Sequence, residues 1–474
     1  MTFSEKPFPS HLFRAYDIRG AVSSFTPELV QAIAYGLCQQ YMQAGQKKIV
    51  IGYDARLSSP GYAWLLQQIF EQHGFEVIPL GCCSSPLMYY SARNAAGNGI
   101  MVTASHNAVS DNGIKWIIQG EPPTPEMIQQ VAVAAQMKFA VEPVPEIPLL
   151  EHELVVPYCL AYQHELLQDV KLERPFKVVL DGMNGSAGRC AALVLKKMGC
   201  ELTAIRCEAD GNFPDHAPDP SQEKHLIQIR DAVLKKGADI GIALDGDGDR
   251  LVVIDECGTV ISADRMLSLF AEMCLKTHLG HQVVFDVKCS TMVRNTVSQL
   301  GGTPHMIRTG STFLRKYLAQ SGGTAVFGGE YAGHYVFNDG RGFGYDDGLY
   351  AALRILEYLS QSADLSLSQL FAAYPERCST EDTYISTHSI EPRVVLSDVE
   401  IKSKRYGAQL SKIDGVRLDF EDGFGIIRAS NTGEYFTIRF DADNPARLDD
   451  IRHTFVSMLS DRYPQIAQDI LNAQ

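Results

Sequence analysis

Strand-length apolar runs alternate with longer helical patterns along most of this chain, and that alternation confines it to the α/β class. KKIVIGYD (47–54) reads as a buried strand, YAWLLQQIFEQHG (62–74) as a helix closed by Gly74, and FEVIPLG (75–81) as the next strand. This order favours parallel sheets, because parallel neighbours need a crossover long enough to hold a helix. VEPVPEIP (141–148), with three prolines in eight residues, reads as a linker or extended crossover. The pattern then restarts with FKVVLDG (176–182), the turn NGSAG (184–188), a helix over RCAALVLKKMG (189–199) and CELTAIR (200–206). It restarts again with HQVVFDVK (281–288), a helix near 290–300 and TPHMIR (303–308). The end of the chain differs: GVRLDFEDGFGIIRAS (415–430) and EYFTIRFDA (434–442) alternate like antiparallel strands and precede a helix near 447–460. That suits a small α+β unit.

Composition narrows the function. At roughly 150 residues per domain, 474 residues suggest about three domains. The formal net charge is −14, with 45% hydrophobic and 21% charged residues, which excludes a largely disordered chain. So acidic a balance argues against nucleic-acid and anionic-membrane partners, yet allows a phosphate ligand where a few cations reverse the field locally. No apolar run approaches the ~18 residues of a membrane span, and no basic region leads into an apolar stretch at the N-terminus. Eleven cysteines without a CxxC read as reduced thiols, so a cytoplasmic protein without zinc or disulfides is expected.

Three segments share a glycine, a short apolar strand and a polar loop: GNGIMVTASHNA (97–108), GADIGIALDGDGDR (237–250) and GGTAVFGGEYAGH (322–334). They suggest a loose internal repeat. In open α/β sheets ligands sit outside the carboxyl ends of strands, so three such loops can serve one ligand site.

DGDGDR (245–250) carries the strongest chemical signal. Alternate residues of an extended loop face the same way, which aims Asp245, Asp247 and Asp249 at one point. Three adjacent carboxylates repel unless a cation neutralises them, and oxygen ligands suit Mg²⁺ or Ca²⁺. An EF-hand would place Asp245, Asp247, Asp249 and Glu256 at its positions 1, 3, 5 and 12. It fails at position 6, where the required glycine is Arg250, and its flanks read as strands. TASHNA (103–108) offers Ser105 beside His106, and Lys115 returns ten residues later. Alone, such a Ser-His pair is an ordinary turn, and no GxSxG elbow surrounds it. GEYAGH (329–334) sets Glu330 and His334 on a glycine-flanked loop. RASNTGE (428–434) is either an anion pocket, with Arg428 gripping phosphate oxygens, or a polar turn. NGSAG (184–188) lacks the GK[ST] of a P-loop and reads as a structural strand-to-helix turn.

Taken together, FRAYDIRG (13–20), TASHNA, DGDGDR, FDVKCS (285–290), GEYAGH, GFGYDDG (342–348) and RASNT (428–432) resemble the α-D-phosphohexomutase family. The likeness is to its bacterial phosphomannomutase/phosphoglucomutase branch and runs over nearly the whole chain. It implies three similar α/β mixed-sheet domains (1–150, 151–256 and 257–370) and a smaller α+β domain (371–474) around a central cleft. It implies a phosphoserine at Ser105 and Mg²⁺ on Asp245, Asp247 and Asp249 with a phosphoserine oxygen. Arg250 and Arg19 match cations near the transferred phosphoryl group, and His106 and Lys115 match positions beside the reacting hydroxyl. Lys115 is the expected general acid/base, with His106 second, because a lysine crowded by cations can have a lowered pKa. Glu330 matches the sugar-hydroxyl carboxylate; Arg428, Ser430, Asn431 and Thr432 match the pocket for the second phosphate; Tyr16, Lys288 and His334 match secondary positions. The implied reaction interconverts hexose 1- and 6-phosphates, of mannose and also glucose, through a hexose 1,6-bisphosphate that also serves as activator. The expected partners are thus small sugar phosphates, and the expected state a monomer or weak dimer.

The chain departs from the family pattern at Ala332, where a serine is usual in the sugar loop, and at Ser311 in RTGST (308–312), where some members carry a histidine. TASHNA also lacks the proline that commonly follows. These departures touch sugar choice, and a phosphoglucosamine mutase is the alternative enzyme. The GEQSGH loop of that type is absent. A non-catalytic Ca²⁺-binding or sugar-phosphate-binding protein is a further alternative, weakened by retention of Ser105, Lys115 and Arg250 together.

Overall fold

A computed structural model describes residues 7–141, 143–150, 156–362, 365–430 and 433–473. The first sheet holds β1 (Ile18–Ala21), β2 (Lys48–Tyr53), β3 (Glu76–Cys82), β4 (Gly99–Val102) and β5 (Asp111–Ile117), ordered β1-β5-β4-β2-β3. β2 runs parallel to both β3 and β4, while β5 is antiparallel to β4 and β1. The second sheet holds β6 (Lys177–Asp181), β7 (Glu201–Ile205), β8 (Ile240–Leu244), β9 (Leu251–Asp255) and β10 (Val260–Ile261), ordered β10-β9-β8-β6-β7. Its pairing repeats the first: β6 is parallel to β7 and β8, and β9 is antiparallel to β8. In the third sheet β11 (Gln282–Asp286) is parallel to both β12 (Thr303–Ile307) and β13 (Ala325–Gly329), and the short strand β14 (Tyr335–Phe337) follows in the chain. β4, β8 and β13 are therefore equivalent strands. They are the strands of the three repeated segments, and the loops TASHNA, DGDGDR and GEYAGH leave their carboxyl ends.

The physical reason lies in burial. β4, β8 and β13 are buried at every position, as strands covered on both faces must be, and their sequences are accordingly apolar or glycine throughout. In the first sheet the helices Pro27–Gln43, Ser59–Gln72 and Pro125–Lys138 close over a core built on Leu29, Ile33, Leu37, Leu66, Phe70 and Trp116. Each begins with proline at its first or second position, where no backbone donor is needed. Residues 143–150 of the proline-rich stretch are coil, and Val144 and Ile147 pack against this core.

β15 (Cys378–Ser379), β16 (Thr383–Ser386), β17 (Gln409–Ser411), β18 (Val416–Asp419), β19 (Gly423–Ala429) and β20 (Tyr435–Ala442) form the last sheet, β15-β20-β19-β18-β17 with β16 also on β20. All its pairings are antiparallel. The helix Pro445–Leu459, capped by the Asn444 side chain on the Arg447 amide, packs on β19 and β20. A second terminal helix, Pro464–Asn472, was not foreseen from the sequence. The fold is thus three α/β domains with mixed sheets and a fourth sheet-containing domain.

By packing, the chain divides into two compact units. One holds residues 1–261, 332–337 and 341–370; the other holds 262–331, 338–340 and 371–474. The stretch expected as one domain, 257–370, is shared between them. The helix Gly348–Gln361 packs on β8 and β9, and so joins the first unit. All eleven cysteines are free, and no described helix is long and apolar enough to cross a membrane.

Gly425 sits under the aromatic pair Phe440 and Phe455, whose ring centroids are 5.3 Å apart. A Cβ there would stand 2.5 Å from the Phe455 ring and 2.8 Å from that of Phe440. Gly425→Ala should therefore lower the stability of the second unit by about 1–3 kcal/mol, seen as an earlier denaturant midpoint.

Candidate functional site

In the first unit the loop after β4 meets the loop after β8. Ser105 Oγ donates a hydrogen bond to Asp245 Oδ2 at 2.7 Å and lies 3.2 Å from His106 Nδ1. Gly246 makes the approach possible, and Gly248 lets the acidic loop pass close to Ala187. A Cβ on Gly246 would stand 2.5 Å from the Ser105 carbonyl oxygen, and Gly248, at φ +75°, has Ala187 within 2.5 Å of its Cβ position. Ser105 itself adopts φ +53°, a left-handed conformation that costs a non-glycine residue roughly 1–3 kcal/mol. The surroundings must impose it.

Asp245, Asp247 and Asp249 are almost wholly buried, and one carboxylate oxygen from each lies within 4.8 Å of the others. Asp247 Oδ2 accepts from Ser85 Oγ at 2.6 Å and from Lys115 Nζ at 2.9 Å, and Asp249 Oδ2 accepts from Lys115 Nζ at 2.8 Å. Asp247 Oδ1 and Asp249 Oδ1 are buried with no hydrogen-bond partner. Such orphaned anionic oxygens are what a hard divalent cation satisfies, so the residues fit a metal. Burial, with Asp249 and Asp247 alongside, pushes the Asp245 carboxyl well above its usual range. Asp247 goes the other way. Burial opposes its charge, but Lys115 and the Ser85 hydroxyl hold it well below the carboxylate range.

Lys115 extends from β5, opposite Met101 of β4. Burial works against its charge, but Asp247 and Asp249 raise its pKa well above that of an ordinary lysine. The expectation of a lowered value is corrected by this geometry: the nearest charges are carboxylates, with Arg19 only a minor opposing influence. His106 is the group whose pKa is lowered, by burial and by Arg250 and Arg19, which leaves a neutral imidazole beside Ser105.

Arg19 on β1 donates to Asp17 Oδ2 at 2.6 Å, to the Ala104 carbonyl at 3.1 Å and to Asn107 Oδ1 at 3.2 Å, and so grips the serine loop. Tyr16, half-buried, lies close enough to add to its field. The Arg250 amide donates to Asp245 Oδ1 at 3.1 Å, and its Nε donates to His334 Nε2 at 3.0 Å. His334 Nδ1 pairs with Asp346 Oδ2 at 2.9 Å, while Nε2, accepting from Arg250 Nε, is the unprotonated ring nitrogen. Burial resists its protonation, while Asp249 and Asp346 raise its pKa. Ala332, half-buried, precedes it in the same unit. NGSAG is the strand-to-helix turn expected from sequence, and it also buttresses the acidic loop: the Ser186 amide donates to the Gly246 carbonyl at 2.9 Å.

The second unit assembles the other candidates. Glu330 Oε1 accepts from the Gly310 amide at 2.5 Å, beside Ser311, the first residue of the helix Ser311–Gln320. Asp286 accepts from the Tyr331 amide at 3.0 Å and from Thr309 Oγ1 at 2.8 Å. Asp414 accepts from the Thr309 amide at 3.2 Å and from Arg428 Nε at 3.1 Å. These two aspartates tie the loops at 308–312, 330–331 and 428–430 together. Lys288 pairs with Asp382. The Ser430 amide donates to the Tyr435 carbonyl at 2.9 Å, while Asn431 and Thr432 lie outside the described residues. Sequence reasoning missed Asp54, Arg56, Ser85, Asp286, Asp346 and Asp414. Asp54, Arg56, Ser85 and Asp414 fall outside every motif, and only the GFGYDDG string hinted at Asp346.

A hydroxyl held against a caged cation site at the ends of equivalent α/β strands is the equipment of a metal-assisted phosphoryl-transfer enzyme. Residues 10–139, 158–258 and 262–378 match phosphoglucomutase/phosphomannomutase alpha/beta/alpha domains I, II and III respectively. The chain is 36% identical to a phosphomannomutase/phosphoglucomutase of Pseudomonas putida, over 97% of each chain. It is 35% identical to a phosphoglucomutase of Neisseria gonorrhoeae, over 94% of this chain and 96% of that one. The crystal structure of a phosphoglucomutase/phosphomannomutase family protein from Burkholderia thailandensis superposes with a TM-score of 0.87 at 32% identity, covering 97% of this chain and 99% of the other. The chain belongs to the phosphoglucomutase/phosphomannomutase family and is a phosphotransferase isomerase.

The raised Asp245 pKa sets a sign for pH dependence. A carboxyl whose folded pKa exceeds its unfolded value destabilises the fold as pH rises and the proton is lost. A divalent cation relieves that repulsion. The Mg²⁺-induced gain in melting temperature should therefore grow as pH rises through the titration of Asp245, followed over a pH series on the chain against its EDTA-treated form. A gain that shrinks with pH would contradict the assignment.

Proposed function

We propose that this enzyme interconverts the 1- and 6-phosphates of mannose and of glucose through a phosphorylated Ser105 and a hexose 1,6-bisphosphate. The observation that carries the reading is Ser105 Oγ at 2.7 Å from Asp245, within a caged acidic cluster that holds orphaned oxygens. Family membership and the 36% identical relative named phosphomannomutase/phosphoglucomutase support it.

In the forward half-reaction the phosphate on Ser105 passes to the free hydroxyl of a hexose phosphate. The Oγ–P bond breaks, an O–P bond to the sugar forms, and the hydroxyl proton passes by way of neutral His106 to the released Ser105 Oγ. In the return half-reaction Ser105 Oγ takes the other phosphoryl group of the reoriented bisphosphate. His106, neutral and 3.2 Å from Oγ, is placed to accept the serine proton as that bond forms. Lys115, held charged by its two carboxylate partners, acts as a fixed cation rather than as the acid/base. Arg19 and Arg250 add positive charge near the transferred group, where positioning and electrostatics supply most of the catalysis. Asp245, Asp247 and Asp249, with an oxygen of phosphorylated Ser105, would hold Mg²⁺, which when bound offsets charge on the phosphoryl oxygens.

Glu330 reads the sugar hydroxyls, with Lys288, Ser311, Ala332 and His334 as further contacts, and Tyr16 beside Arg19. Arg428, Ser430, Asn431 and Thr432 hold the phosphate that is not being transferred. A fixed phosphate grip with a carboxylate reading two hydroxyls accepts either orientation of the bisphosphate, which then acts as activator. The enzyme works in the cytoplasm on small sugar phosphates, as a monomer or weak dimer.

A coupled assay with Mg²⁺ and the matching bisphosphate tests this on mannose, glucose and glucosamine 1-phosphates. Mannose and glucose 1-phosphates should turn over, and Ser105→Ala should lose at least about 10³-fold in kcat. Full turnover by Ser105→Ala would overturn the mechanism, and turnover of glucosamine 1-phosphate alone would overturn the substrate assignment.

A further inference from the structure

Ser105 sits in a left-handed conformation that it would not choose unaided, so something must hold it. Arg56 and Asp54 lie beyond the end of β2, outside every motif discussed so far. Both are 1% exposed. All five guanidinium N–H groups of Arg56 have partners. Nη2 donates to the Ser105 carbonyl at 2.9 Å and to the Asn107 carbonyl at 2.7 Å. Nη1 donates to the carbonyls of Ala108 at 2.5 Å and Asp111 at 2.9 Å. Nε donates to Asp54 Oδ2 at 3.0 Å. The Phe213 ring lies over the guanidinium, 5.4 Å from centroid to Cζ.

Asp54 extends the grip to the other side of the serine. Its Oδ2 accepts from Thr103 Oγ1 at 2.8 Å, and Thr103 Oγ1 accepts from the Ser105 amide at 2.8 Å. Ser59 Oγ fixes the second Asp54 oxygen at 2.6 Å. The backbone N–H and C=O of Ser105 are thus both anchored to one buried ion pair, from opposite sides.

We propose that Arg56, Asp54 and Thr103 form a positioning clamp that sets the angle at which Ser105 Oγ presents to the phosphoryl group. The inference rests on the reading of Ser105 as the phosphoryl carrier. None of the three is among the residues assigned to substrate or metal; they act through the backbone of the serine. Four of the five donors of Arg56 go to carbonyls of residues 105–111, an arrangement a lysine cannot reproduce. An ångström of misplacement at a reacting atom is enough to cost about 10²-fold in rate.

The experiment follows phosphate transfer from glucose 1,6-bisphosphate to Ser105, by mass spectrometry of the intact chain with Mg²⁺. Arg56→Ala should slow labelling about 100-fold and lower kcat alike, with KM for the sugar phosphate within about threefold of the original. Added guanidinium ion should restore part of the rate, and Arg56→Lys should stay slow. Labelling of Arg56→Ala at the original rate would overturn the clamp. Should that variant fail to fold, Thr103→Val and Thr103→Ser decide the matter. A slow valine variant beside a restored serine variant supports the clamp, and equal rates overturn it. Absence of label on Ser105 in the unaltered chain would overturn the reading of Ser105 itself, and the clamp with it.

Discussion

Three buried carboxylates within a few ångströms of one another cannot all keep their charge in a poorly polarisable interior without cations. Asp245, Asp247 and Asp249 impose this condition on the first unit, and much of its local structure follows. Lys115 is drawn onto two of them, Arg250 closes over the third through its amide, and Ser85 supplies a hydroxyl. The cage still leaves two buried oxygens without a hydrogen bond, a donor set that fits a divalent ion. The overall charge of −14 is therefore no guide to the site. Anionic substrate and anionic protein are reconciled by a local set of cations that the acidic loop itself recruits.

The repeated sheet explains how such a site is assembled from distant segments. β4 and β8 occupy the same place in two sheets of the same order, so their carboxyl ends present loops equivalently. The loops differ completely: one brings a serine, the other the carboxylates. Gly246 then lets the second loop lie directly against the first, since any side chain would strike the Ser105 carbonyl. β13 offers a third equivalent end in the second unit, with Glu330 next in sequence. Duplicated topology with divergent loops puts different chemistry at equivalent places on a common frame.

Aspartates recur as cross-links, Asp54, Asp286 and Asp346 buried and Asp414 half-buried. Asp54 holds Thr103 and Arg56; Asp286 and Asp414 knit the loops of the second unit; Asp346 pairs with His334. Each is satisfied by two or more donors, or by an ionic partner, which lets it rigidify a loop. None of these aspartates belongs to a motif with a chemical reading of its own. They are legible only once the chain is folded, because a lone aspartate in sequence looks like any solvated acid.

The chain's own pattern determined the α/β class, the positions of β2, β4, β8 and β13, and the chemistry of DGDGDR, because strand burial and carboxylate spacing are local properties. The pattern also set the end of the chain apart as a small α+β unit, and the likeness of its motifs to a known family extended the reading to Ser105. The tertiary structure decided what depends on neighbours distant in sequence. It turned Lys115 towards Asp247 and Asp249, reversing the expected direction of its pKa and leaving His106 as the neutral group. It assigned the helix Gly348–Gln361 to the first unit, and it revealed the Arg56 grip on Ser105. Periodicity records which face of a strand is buried. Which charge a side chain meets, 130 residues away in the chain, is recorded only by the fold.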